Sequence, residues 1–179
     1  MSVRKLWKAG FEPYPILSFA RSARKSYTPA MPVEIIRRDD GKEFSSRKLK
    51  KVAQKVLEIV EQDKAELCLV LVGNAEIRKL NAKFRKKDYP TDVLSFTVGD
   101  ELPTGVQLLG DVVVSVEKAK EQAKERRRPL NEEMVTLLIH GIVHLLGYDH
   151  ERSPKDARIM DRLEKKIYRA LCDQGILKV

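Results

Sequence analysis

The chain contains three histidines, and all three fall in one stretch of eleven residues: His140-Gly141-Ile142-Val143-His144-Leu145-Leu146-Gly147-Tyr148-Asp149-His150. Random placement gathers three histidines this closely only about one time in a hundred, so the cluster asks for a chemical explanation. His140 and His144 stand four apart. On a helix both imidazoles then leave the same face, one turn from each other. Gly147 follows as a helix stop, because glycine enters the left-handed conformation that ends helices. The chain can then turn and bring His150 back as a third ligand. Three neutral imidazoles and an open fourth position describe a catalytic zinc site, with His140, His144 and His150 holding one Zn2+.

The His-x3-His-x2-Gly-x2-His spacing is also that of metzincin peptidases, which place a glutamate directly after the first histidine as the general base. Here that position is Gly141. Without a carboxylate there, the peptidase mechanism lacks its base, and the same metal geometry suits a different hydrolysis. A peptidase-like or other zinc hydrolase remains an alternative, as does a non-catalytic protein with zinc as a structural staple. The staple would require a fourth protein ligand, and both cysteines lie far off in sequence.

A second cluster lies upstream, Asn81-Ala82-Lys83-Phe84-Arg85-Lys86-Lys87-Asp88-Tyr89-Pro90-Thr91-Asp92-Val93-Leu94-Ser95-Phe96. It reads as a basic helix end, a proline turn and a strand, with Lys83, Lys86 and Lys87 as a solvated charge run. Arg85 differs if it faces the metal, since a guanidinium grips a phosphate through two hydrogen bonds and stabilises charge developing on it.

These two segments, together with Leu109-Gly110-Asp111-Val112-Val113 between them, resemble the YbeY-type endoribonucleases, a family of ribosomal RNA maturation factors. The resemblance covers residues 31–179. It implies a zinc-dependent, single-strand-specific RNA hydrolase acting in 3′-end maturation of small-subunit ribosomal RNA and in ribosome quality control. Ribosomal RNA, the small subunit and its assembly factors are the implied partners, and a non-catalytic ribosome-binding factor is the alternative to an enzyme. The family's three histidines fall on His140, His144 and His150, and its catalytic arginine falls on Arg85. Whether water or the RNA's own 2′-hydroxyl attacks phosphorus stays open. Asp149 either orients a histidine or caps the turn. Asp92 and Ser95 order their turn and strand, the favoured reading, or line the cleft; Asp111 fixes its strand's entry, and Tyr148 packs.

The elements that must position these residues follow from periodicity. Val33–Ile36 reads as a strand. A helix capped by Ser45 or Ser46 buries Leu49, Val52, Ala53, Val56, Leu57 and Val60 at 3.6 spacing. Leu67–Val72 is a buried strand, and Asn74 caps a short helix with Ile77, Leu80 and Phe84 inward. Strands follow at 93–98 and 111–116, then helices near 117–126, 131–146 and 154–173, the last capped by Ser153 with Pro154 at its first position. The order β-α-β-α-β-β-α-α-α predicts an α+β domain with a small mixed four-stranded sheet, about five helices and a zincin-like placement of the metal helix.

Composition sets the remaining bounds. With 179 residues, 42% hydrophobic and 34% charged, the chain suits one globular domain. Residues 1–30 hold six Lys/Arg and one acid, and so supply much of the net charge of +9. They lack periodicity and read as a disordered basic extension or as sequence upstream of a true start at Met31, with an organelle leader as the third choice. No apolar run reaches the roughly 20 residues of a membrane helix. Cys68 and Cys172, with no Cys-x-x-Cys partner, suit reduced thiols in the cytoplasm. Outside the cluster, Arg126-Arg127-Arg128 has no interleaved acids and is the better candidate for tracking an RNA backbone. The neighbouring Lys118, Lys120 and Lys124 alternate with glutamates as a solvated face.

Overall fold

A computed structural model describes residues 33–39, 44–97 and 107–177. The expectations for residues 1–30 lie outside these residues. Within these residues four strands and five helices appear in the expected order: β1 (Val33–Arg37), α1 (Ser46–Ile59), β2 (Glu66–Val72), α2 (Asn74–Arg85), β3 (Val93–Thr97), β4 (Leu108–Ser115), α3 (Val116–Glu125), α4 (Leu130–Leu145) and α5 (Pro154–Asp173). The sheet is mixed. Its order is β1-β2-β4-β3, with β3 alone antiparallel to its neighbour.

Strand alternation divides the sheet into two faces. Leu67, Leu69 and Leu71 of β2, with Val112 and Val114 of β4, form the main core with α1, α4 and α5. Cys68, Val70, Val72, Leu94, Phe96 and Val113 form a smaller cluster on the other face, closed by Ile77, Leu80 and Phe84 of α2. The predicted inward residues of α1, from Leu49 to Leu57, are all buried. Helix α4 buries ten of its sixteen residues as it passes through the main core, and its two histidines are among the few left partly exposed.

Three local expectations change. Helix α2 is capped at Gly73, not Asn74, and without a side-chain cap. The Asn74 N–H instead donates to the Glu117 carboxylate of α3, while Ser115 Oγ donates to Asn74 Oδ1 at 2.7 Å. The cap is therefore supplied from a distant element. Strand β4 begins at Leu108, three residues early, because a register shift between Glu66 and Leu67 lets the pairing continue past Gly110. Asp111 consequently sits inside the strand and does not mark its entry. It is 1% exposed, neither carboxylate oxygen has a hydrogen-bond partner, and burial, with Glu34 adding repulsion, pushes its pKa up to about 7.

The third change concerns the arginine triplet. Arg126 Nη1 lies 2.6 Å from Glu133 Oε1 and Arg128 Nε bonds its other oxygen, while Glu133 itself is wholly buried. Two of the three cations thus neutralise a buried carboxylate, which an unpaired site would not tolerate. Only Arg127 remains of the predicted RNA contact.

Candidate metal centre

Helix α4 ends as the sequence suggests. Gly147 takes φ +93°, its N–H donates to the His144 carbonyl at 3.0 Å, and the Tyr148 N–H donates to the Val143 carbonyl at 3.3 Å. These two bonds are the Schellman pattern that reverses a chain after a helix. The reversal returns His150 to the two helical histidines. Ring centroids lie 4.6 Å apart for His140–His144, 5.2 Å for His140–His150 and 5.1 Å for His144–His150. One nitrogen from each ring falls within 4.8 Å of the others.

The ring orientations are set from outside. His140 Nδ1 meets Glu164 Oε1 of α5 at 2.7 Å, and His144 Nδ1 meets the Tyr148 carbonyl at 3.0 Å. Both contacts fix the proton on Nδ1 and leave Nε2 with its lone pair, and the two Nε2 atoms converge to 3.1 Å. Zinc–nitrogen bonds of about 2.0–2.1 Å in a tetrahedron place ligand nitrogens roughly 3.3 Å apart, so the His140–His144 pair already stands near ligand spacing, with the His150 nitrogen within 4.8 Å. Burial, reinforced by the neighbouring His140 and His150, lowers the His144 pKa. A neutral imidazole is the form that ligates. Among the described residues the cluster consists of the three histidines, with no Cys, Asp or Glu joining it.

Gly141 packs against the sheet. A Cβ there would lie 2.5 Å from Val112 Cγ1 of β4 and 3.3 Å from Ser95 Oγ. Ser95 Oγ also donates to the Gly141 carbonyl at 3.0 Å. Position 141 is thus the point where the metal helix touches the sheet. A glutamate there would drive its side chain into β4, so the residue missing from the peptidase pattern is one this packing cannot hold.

Arg85 closes α2, where Lys86 turns left-handed at φ +60°. Buried Asn81 steadies the following turn by donating from Nδ2 to the Tyr89 carbonyl at 2.8 Å. The Phe84 ring meets Phe96 of β3 edge-on at 5.5 Å. Ser95 and Phe96 face opposite ways, so β3 lies between the metal helix on one side and the arginine helix on the other. Past this edge strand, Arg85 Nη2 reaches both carboxylate oxygens of Glu151, at 2.7 Å each. Glu151 follows His150 directly. The predicted catalytic arginine is therefore tied to the loop carrying the third histidine.

The other candidates have structural duties. Asp149 Oδ1 accepts the Glu151 N–H at 2.9 Å and so caps the turn. Burial pushes the Asp92 carboxyl up, but hydrogen bonds from Gln122, Val93 and Thr91 hold it below the usual range, and these bonds order the turn before β3. Tyr148 is exposed and contributes its carbonyl. Glu164 and Glu151 were not legible as site residues, since their partners lie 24 and 66 positions away.

Together these features define a metal-dependent hydrolase of α+β architecture, with a three-histidine centre on the exposed end of a core helix. The profile described as Endoribonuclease YbeY matches residues 34–172, and the chain belongs to that family. An Endoribonuclease YbeY of Persephonella marina is 46% identical over 121 residues, covering 67% of this chain and 79% of that protein. One from Petrotoga mobilis is 37% identical over 142 residues, covering 79% of this chain and 96% of its own. A solution structure of a Thermotoga maritima protein superposes with a TM-score of 0.52 at 26% identity, covering 82% of this chain and 96% of that one.

Proposed function

We propose that this protein is a zinc-dependent, single-strand-specific endoribonuclease acting in 3′-end maturation of ribosomal RNA and in ribosome quality control. One ion is held by His140, His144 and His150, and Arg85 is the catalytic residue. The observation that carries this reading is the convergence of three imidazoles beside a guanidinium tied to the same loop. Family membership supports the RNA substrate. The small subunit, its assembly factors and a cytoplasmic location follow from that membership as part of the proposal. Among the described residues no helix is long and apolar enough to cross a membrane.

A zinc ion bound here supplies Lewis acidity at a phosphodiester oxygen and lowers the pKa of water towards neutrality. The protein's own part is placement. Glu164 and the Tyr148 carbonyl hold His140 and His144 with Nε2 turned inward, and the Gly147 reversal delivers His150. Arg85 offers its donors to the non-bridging oxygens of the scissile phosphate, where negative charge grows as phosphorus becomes pentacoordinate.

The test is cleavage of a labelled unstructured RNA by the purified protein, with and without chelator, beside His144→Ala and Arg85→Ala. Cleavage is expected to need metal and His144, and Arg85→Ala is expected to lose turnover while keeping one zinc per chain. A 2′,3′-cyclic phosphate on the product would identify the RNA hydroxyl as nucleophile. Cleavage that survives His144→Ala would refute the metal assignment, and loss of zinc from Arg85→Ala would refute the arginine's.

A further inference from the structure

Glu151 occupies one corner of the Arg85 guanidinium and no more. Both of its carboxylate oxygens meet the same nitrogen, Nη2, at 2.7 Å. No described partner engages Nε or Nη1, so these N–H groups remain as donors. An arginine held this way can still present a fork to a phosphate. Both side chains are substantially exposed, at 36% and 53%. An exposed pair contributes little to folding stability, so what this one determines is position. The pair also crosses the edge of the sheet. It joins the last residue of α2, on one face, to the residue after His150, at the end of the metal helix's return on the other.

We infer that Glu151 is a positioning residue that fixes Arg85 relative to the third histidine, so that metal ligation and phosphate gripping share one loop. This rests on the nuclease reading above. Ordering of the loop by metal at His150 also orders Glu151, and through it the arginine. RNA is then gripped through Nε and Nη1 while Nη2 stays held.

The experiment is a double-mutant cycle of Arg85→Ala and Glu151→Ala, measured as kcat and KM on a short single-stranded RNA with the zinc-loaded protein. Zinc content is measured in parallel, and arginine side-chain 15N spectra are recorded without RNA. Glu151→Ala is expected to lower kcat about tenfold or more, because displacing a catalytic group by an ångström costs that much, while zinc stays at one per chain. Glu151→Gln, which keeps an acceptor oxygen, should recover part of the loss. In the Arg85→Ala background Glu151→Ala should cost nothing further. The slowed guanidinium rotation of Arg85 should appear in the wild-type spectrum and vanish in Glu151→Ala. Wild-type kcat in Glu151→Ala, beside an inactive Arg85→Ala, overturns the tether and leaves the nuclease reading intact. An unchanged Arg85 spectrum in Glu151→Ala overturns it without any activity measurement. Full activity of Arg85→Ala overturns the arginine's role and the tether together.

Discussion

Replacing Gly141 by alanine tests the packing argument because two familiar effects oppose each other there. In a helix interior alanine is favoured over glycine by about 1 kcal/mol. At this site the new Cβ would lie 2.5 Å from Val112 Cγ1 and 3.0 Å from Cγ2. Carbon atoms rest roughly 3.5–4.0 Å apart, so something must retreat by about 1 Å. Val112 cannot swing aside: it is fully buried in β4 and branched at Cβ, with χ1 constrained. The helix must move instead. Overpacking of this kind costs about 1–3 kcal/mol. Stretching the Ser95–Gly141 hydrogen bond adds up to about 1 kcal/mol. After the propensity gain, Gly141→Ala should destabilise by roughly 2 kcal/mol, or about 4–8 °C in Tm. Urea unfolding with chelator present isolates this effect from metal binding, and the m-value should not change. Zinc affinity should fall as well, because His140 immediately precedes the displaced residue. A variant about 1 kcal/mol more stable than the wild type would refute the close approach, and with it the steric account of why no glutamate stands at 141.

Other perturbations read other parts of the structure. Glu164→Ala frees the His140 ring and should weaken zinc binding by about 10–100-fold with the fold retained; competition with a chromophoric chelator measures it, and unchanged affinity would exclude an orienting role. Removing both Arg126 and Arg128 strands the buried Glu133 and should cost about 3–5 kcal/mol by urea unfolding, whereas Arg127→Ala should be near neutral. Asp111, with its pKa raised from 3.8 to about 7, takes up a proton on folding between those values. Its contribution therefore makes the protein lose stability as pH rises from about 4 to about 7 and stay level above, by up to roughly 4 kcal/mol. Asp111→Asn should remove that slope, and an identical pH profile in the variant would show that Asp111 does not cause it.

What the sequence made legible is what depends on neighbours within a turn or two. The shared face of His140 and His144, the stop at Gly147 and the return to His150 need only helical periodicity and glycine's left-handed backbone. The inward face of α1 and the element order follow from the same local regularities. What it hid depends on contacts between distant segments. Asn74 looks like a cap because nothing nearby says that Glu117, 43 residues on, will meet its N–H. Arg126 and Arg128 look like free cations until Glu133 proves to be buried beside them. Asp111 looks like a strand boundary because the register shift opposite Glu66 leaves no trace in composition.

The site combines both kinds of information. Its histidines are local, but its geometry is tertiary: Glu164 meets one ring, Ser95 and Val112 meet the helix at Gly141, and Glu151 meets the arginine. Gly141 shows how closely the two are joined. From sequence alone it marks the absence of a peptidase base, a statement about chemistry. In the fold it marks the contact that seats α4 on β4 beside Val112 and Ser95, a statement about packing. The close contact at 141 aims a substituent there at Val112 and Ser95 of the sheet. The general base of a peptidase is excluded here by the same contact that holds the histidines in place. Arg85 approaches the loop carrying His150 from the far side of β3, through the Glu151 carboxylate.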